Sequence, residues 1–202
     1  MEILERLFGS SARVKVMKLF LFNPEELLEK IEIIKKTKSS STLIQKELKD
    51  LCDIGLLKKR IFIKSSQTKS GKTKKQKVVG FALNPTFKYL NNLKNLLINN
   101  EPFNHNEIIK KINKVGKIKL IVVSGLFIQN EDSRLDIFVV GDDIKERAVK
   151  GAISKMESEI GKELRYAFFT TTDFKYRYSV CDRLVRDVFD YPHQVVVDRI
   201  GL

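Results

Sequence analysis

Histidine and cysteine are scarce in this chain, with two of each among 202 residues. Cys52 and Cys181 share no metal-ligand spacing and make no disulfide framework. Zinc modules and stapled secreted scaffolds are thereby excluded, and a reducing, cytoplasmic compartment is expected. His105 and His193 stand apart from any Ser, Cys or second His constellation, so neither is expected to serve a hydrolytic site. Long apolar runs are also missing. VMKLFLF (16–22) and KLIVVSGLFI (119–128) fall well short of the ~20 residues that span a bilayer, and no membrane partner is expected. The start, MEILERLF, carries acids where an export signal carries positive charge. Neither a Walker-type phosphate loop nor a dinucleotide glycine fingerprint appears, and no cofactor is expected.

What the chain has instead is positive charge, and that charge is unevenly placed. The net charge is +13, and 43% of residues are hydrophobic, enough for real cores. The length allows two small domains or one of ordinary size. Residues 1–100 hold 21 Lys and Arg against 9 Asp and Glu, whereas residues 101–202 hold 17 against 16. A lysine-rich composition of the source genome would raise both halves, and solubility would not require the asymmetry. A polyanion-binding first half would.

Along the first half, Ser10 and Ser11 can cap a helix through ARVKVMKLFLF, with Val14, Met17 and Leu21 on one stripe. Asn23-Pro24 ends it, and Pro24 suits the first turn of a second helix, PEELLEKIEIIKK. Glu25 and Glu26 at its start and Lys35 and Lys36 at its end favour the helix dipole. Leu27, Leu28, Ile31 and Ile34 would face inward. After KKTKSS, Ser40 or Ser41 can cap a third helix. There Ile44, Leu48 and Leu51 face the core, while Thr42, Gln45, Lys46 and Lys49 face out, with Glu47 and Asp50 at the flank. Such a face is either plain solvated surface or one shaped to touch base edges and phosphates. Gly55 allows a left-handed stop. LLKKRIFIKSS and KVVGFALN then read as paired strands around SSQTKSGKTKKQ. Lys58, Lys59, Arg60, Lys64, Lys69, Lys72, Lys74, Lys75 and Lys77 follow one another with no acid between them. That segment is a solubilising loop or a phosphate contact; ~5 phosphates engaged would give a salt slope of about −4 to −5.

FGSSARVKVMKLFLFNP followed by STLIQKELKDLCDIGLLKK resembles the winged-helix domains of ArsR-type and related bacterial and archaeal regulators. The resemblance covers about residues 1–84. It implies that the Ser/Thr-led third helix, from Ser41 through Thr42, Gln45 and Lys46, enters the major groove. Lys49 and the wing cations would then meet the backbone. The KKTKSS link is longer and richer in lysine than the tight turn usual in that family. Residues 85–104 read as a connecting helix and a linker. The helix places Phe87, Leu90, Leu93 and Leu97 on one stripe, to serve a dimer seam, a brace or the chain's own core. NNEPFNHN (99–106) is the expected linker.

From residue 105, helix (NEIIKKINKVG), strand (KIKLIVVSG), strand (SRLDIFVVG), helix (144–160), strand (ELRYAFFTT) and C-terminal helices imply a small mixed sheet. The helix 144–160 would turn Ile144, Ala148, Ile153, Met156 and Ile160 inward, and Gly161 would stop it. The run SGLFIQNEDSRLDIFVVGD resembles the nucleotidyltransferase fold of the polymerase-β-like superfamily. Its Gly-Ser turn and S-D-x-D motif hold two Mg²⁺ through two or three carboxylates. Ser124-Gly125 reverses the turn, and Ser133 and Asp136 match. Arg134 replaces the first Asp, and no acid stands at Leu164-Arg165-Tyr166, where the third is expected; Glu163 is one residue out and would point to the opposite sheet face. The tail DRLVRDVF resembles the closing helix of the same group, with Leu184, Val185, Val188 and Phe189 as its stripe.

The fold class expected is therefore α+β in two domains, a winged helix-turn-helix and a degenerate nucleotidyltransferase-like domain over residues 105–202. Asp136 would be a structural acid paired with Arg134. Alternatively Ser124, Gly125, Ser133, Arg134 and Asp136 would form a phosphate or nucleotide pocket without metal, or the domain would be a scaffold. The function expected is a non-enzymatic transcriptional regulator binding double-stranded DNA as a homodimer, with a nucleotide or protein effector. The rival readings are a nucleotidyltransferase acting on RNA or protein, and an antitoxin-like partner protein.

Overall fold

A computed structural model describes residues 2–67, 73–99, 105–130 and 132–201. Among these the chain is α+β, with nine α-helices and two sheets, and it divides into two compact units. The first comprises residues 1–102 together with 157–162, and the second the remainder.

The first unit is built around a largely buried helix. After a short helix α1 (Glu2–Phe8), the Ser10 hydroxyl accepts from Arg13 N–H and opens α2 (Ser11–Phe22). Val14, Val16, Met17, Leu19, Phe20 and Leu21 are all buried, so burial extends well beyond the expected single stripe. The second helix differs from expectation at its start. Pro24 and Glu25 form a turn, and Leu28–Glu29 is a short strand, β1. Only Lys30–Thr37 is helical, as α3. Glu25 and Glu26 therefore do not sit at a helix start. The reason is tertiary: β1 pairs antiparallel with a later strand, Leu28 opposite Phe81 and Glu29 opposite Gly80. The acid that serves α3 is Glu32, whose carboxylate accepts from Glu29 N–H at 2.7 Å.

Because α3 runs through Thr37, only Lys38–Ser40 remain between it and α4 (Ser41–Asp53). The link is a tight turn rather than the long one expected. Lys38 takes φ 51° and reverses the chain, and Ser40 caps α4 by accepting from Leu43 N–H at 3.3 Å. Gly55, at φ 82°, ends that helix in the left-handed conformation. β2 (Leu57–Gln67) and β3 (Thr73–Leu83) form an antiparallel hairpin, and the sheet order is β1-β3-β2. Beyond it, α5 (Leu90–Lys94) runs into a wider π-helical turn over Asn95–Asn99. Leu97 is buried in the core of this unit, and Phe87, Leu90 and Leu93 pack on that core half-buried. The stripe thus packs against its own chain. Most of the expected linker, residues 100–104, lies outside the described residues.

In the second unit, α6 (His105–Ile112) precedes β4 (Lys117–Val123), and β5 is Ile137–Asp142. α7 (Glu146–Ile160) crosses over to β6 (Tyr166–Phe169), which runs parallel to β5, as a helical crossover permits. Ile144 precedes this helix; Val149, Ile153 and Met156 are its buried residues. α8 (Thr171–Ser179) and α9 (Arg183–Asp190) follow. The tail then adds a strand the sequence pattern did not predict, β7 (Gln194–Asp198), antiparallel to β4. The order β6-β5-β4-β7 makes a mixed sheet. Phe174, Val185 and Val188 of α8 and α9 cluster with Leu120, Val122, Phe138 and Val140 of the central strands. No described helix is long and apolar enough to cross a membrane.

Candidate functional site

The i, i+4, i+7 spacing of apolar residues decides which side of α4 meets water. Ile44, Leu48 and Leu51 are buried, and Ser41, Thr42, Gln45, Lys46 and Lys49 are exposed, as the spacing predicts. Leu43 also lies on the outer face and is 49% exposed. It is an exposed apolar residue of that face that sequence analysis missed, although its place outside the i, i+4, i+7 core stripe marks it. The flanking acids behave differently from expectation. Glu47 is buried at 2% exposure, and its carboxylate accepts from Arg13 Nε at 2.6 Å. Arg13 Nη2 donates to Asp50 at 2.7 Å. One guanidinium on α2 therefore neutralises two of the three carboxylates of α4, Glu47 and Asp50, while Asp53 at its C-terminal end stays exposed. Lys30 of α3 adds a further cation here, with its ammonium donating to Gln45 Oε1 at 2.8 Å.

The hairpin carries its cations on alternate faces, because strand side chains alternate. Lys58, Arg60 and Lys64 share one face. Lys59 shares the other with Lys77, Lys75 and the exposed Ile61, Ile63 and Val79. Lys64 is engaged: it donates to Glu29 and lies 3.5 Å from Glu32. Lys58, Lys59, Arg60, Lys75 and Lys77 are exposed. Lys69 and Lys72 lie outside the described residues, as does the side chain of Lys74.

The second candidate site centres on Asp136, which is 3% exposed. Its Oδ1 accepts from Leu126 N–H at 2.9 Å and its Oδ2 from Arg165 N–H at 2.8 Å. The Arg165 guanidinium straddles both oxygens, Nε and Nη2 each at 3.2 Å. Asp136 therefore pairs with Arg165, not with Arg134 as expected. Arg134 turns to Asp187 of α9, 2.9 Å away. Ser124 Oγ donates to Leu135 O at 2.6 Å and fixes the turn after β4. Gly125 follows at φ 52°, and a Cβ there would lie 2.2 Å from Asp136 Oδ1. The turn glycine is thus required by the carboxylate itself. Ser133 Oγ is buried without a hydrogen-bond partner among the described residues. The cavity beside Ser124, Ser133 and Arg134 measures about 10 Å³, whereas ligand pockets run to roughly 300 Å³ or more.

The resemblance to nucleotidyltransferases implies two Mg²⁺, and the donors present do not fit them. Both oxygens of Asp136 are committed to N–H donors and a guanidinium. Arg165 sits where the third carboxylate would stand. No group of three His, Cys, Asp or Glu placed to hold a metal ion occurs among the described residues. Compared with known proteins, the chain matches no family model, no curated protein and no solved structure.

Proposed function

We propose that the protein is a DNA-binding transcriptional regulator whose first unit is a winged helix-turn-helix and whose second unit is a non-catalytic nucleotidyltransferase-like domain. In this reading α3 and α4 are the helix-turn-helix, α4 reads the major groove, and the β2–β3 hairpin is the wing. The observation that carries the reading is the outer face of α4. Thr42, Gln45, Lys46 and Lys49 project from a helix clamped on its inner side, and Arg13 cancels the two acids beside them. The three-residue turn before α4 and the sheet order β1-β3-β2 support it.

Thr42, Gln45 and Lys46 would contact base edges, Leu43 a thymine methyl, and Lys49 with the hairpin cations the phosphates. One reading helix discriminates weakly, so a homodimer on two half-sites completes the proposal. The second unit would serve dimerisation or the sensing of a partner or ligand. Its clamped Asp136 supports a structural role for the former metal acid. Selection of duplexes from a random pool with the full-length protein tests the reading. A consensus should emerge, and Lys46→Glu with Lys49→Glu should abolish binding to it. No enrichment, or unchanged affinity of the double variant, would refute the assignment.

A further inference from the structure

The first unit contains a cavity of about 580 Å³ beside the C-terminal end of α4, a volume suited to a small organic ligand. Its walls include Phe8, Met17, Phe87 and Tyr89, and the C-terminal turn of α4 brings Asp50 and Asp53 to it. Arg13 lines it too, but already holds Glu47 and Asp50. Two carboxylates, Asp50 and Asp53, thus line the cavity beside one guanidinium that Glu47 also shares, and Asp53 makes no ion pair with any described residue. Aromatic rings beside an excess of carboxylates attract organic cations, through ring faces and direct charge attraction together. Tyr89 already holds the Lys88 ammonium 5.3 Å from its ring centroid. A neutral or anionic apolar molecule would gain nothing from the acids.

We infer that this cavity binds a hydrophobic organic cation, and that its occupancy is read by α4. Asp50 belongs both to the cavity and to the clasp that ties α4 to α2. A bound cation competes with Arg13 for Asp50 and loosens that tie. By reciprocity, DNA held by α4 and cation in the cavity weaken one another. This coupling rests on the proposed function; the binding site does not.

Tetraphenylphosphonium and tetraphenylborate have the same shape and opposite charge, which makes them the probes. Equilibrium dialysis of the full-length protein should show saturable uptake of tetraphenylphosphonium, one per chain. Tetraphenylborate should bind at least about tenfold more weakly, although the protein's overall charge favours the anion. Asp53→Asn and Tyr89→Ala, both at exposed positions that leave the core intact, should weaken the cation about fivefold and threefold. Absence of saturable uptake, equal binding of the borate, or indifference to Asp53→Asn would overturn the site. So would a second copy of the chain in the cavity, seen as a dimer that Tyr89→Ala dissociates and that excludes the cation. Saturating tetraphenylphosphonium should weaken duplex affinity about fivefold in the unmodified protein and less in Asp53→Asn. Cation binding with unchanged duplex affinity removes the coupling. Cation binding by a protein that holds no duplex removes the proposed function and leaves the cavity site standing.

Discussion

A carboxylate taken out of water is tolerated where every lone pair it turns inward finds a donor. Asp136 meets that condition with the backbone N–H groups of Leu126 and Arg165 and the Arg165 fork. The contributions are unequal, because the Arg165 side chain is 51% exposed and its attraction is partly screened. Asp136→Ala orphans two backbone donors at the end of β4 and the start of β6, and should cost about 3 kcal/mol. Arg165→Ala leaves both backbone bonds in place and should cost about 1 kcal/mol or less. Urea unfolding of the three proteins ranks them; equal losses would assign the stabilisation to the guanidinium. The sequence marked Asp136 as a survivor of a metal site and Arg134 as the intruder. It could not show which arginine would reach the acid. Residues 134 and 136 lie two apart on an extended segment, whereas Arg165 arrives from the neighbouring strand through a parallel pairing that only the assembled sheet defines.

Among elements, α4 was legible because its apolar period, serine cap and glycine stop agree locally, and nothing in the tertiary structure opposes them. The segment before it was not. PEELLEK reads as a good helix start, yet Leu28 and Glu29 are taken by strand β3, whose ladder bonds outweigh a weak local preference. β7 escaped notice for a similar reason: VVV is too short to signal a strand until β4 offers it an edge. Two predictions belong here. Arg13→Ala leaves Glu47 buried without its cation and should cost about 2–4 kcal/mol, and Glu47→Gln less, measured by urea unfolding. Glu32 is held below its ordinary value of 4.5 by the Glu29 N–H it accepts, with Lys64 adding to the effect. Its share of stability is therefore present above that ordinary value and fades as pH falls through the depressed one. Glu32→Ala should cost about 1 kcal/mol near pH 7, and the gap from the unmodified protein should narrow as pH falls below the ordinary carboxylate range, as a series of unfolding curves will show.

For the molecule as a whole, the question is how much of its positive charge can act at once. The run from Lys58 to Lys77 reads in sequence as a single cationic block of nine residues. Strand alternation divides it, and Lys64 is turned back onto Glu29 and Glu32. A charge already paired within the protein releases no further counterions when a duplex binds, whereas an open one releases about 0.9 per phosphate neutralised. The salt dependence of duplex affinity separates the two cases. Binding by the unmodified protein should follow a slope of about −4 in log K against log salt, consistent with the open cations at α4 and the hairpin. Lys75→Gln and Lys77→Gln should each make it shallower by up to about 0.9, and together by up to about twice that. Lys64→Gln should leave it unchanged while destabilising the fold slightly through the lost contact with Glu29. The measurement is a titration series from low to physiological salt on all five proteins. A slope that Lys64→Gln reduces as much as Lys75→Gln would mean that the hairpin gives up its internal ion pair to reach the duplex. The block would then act undivided, as its sequence first suggests.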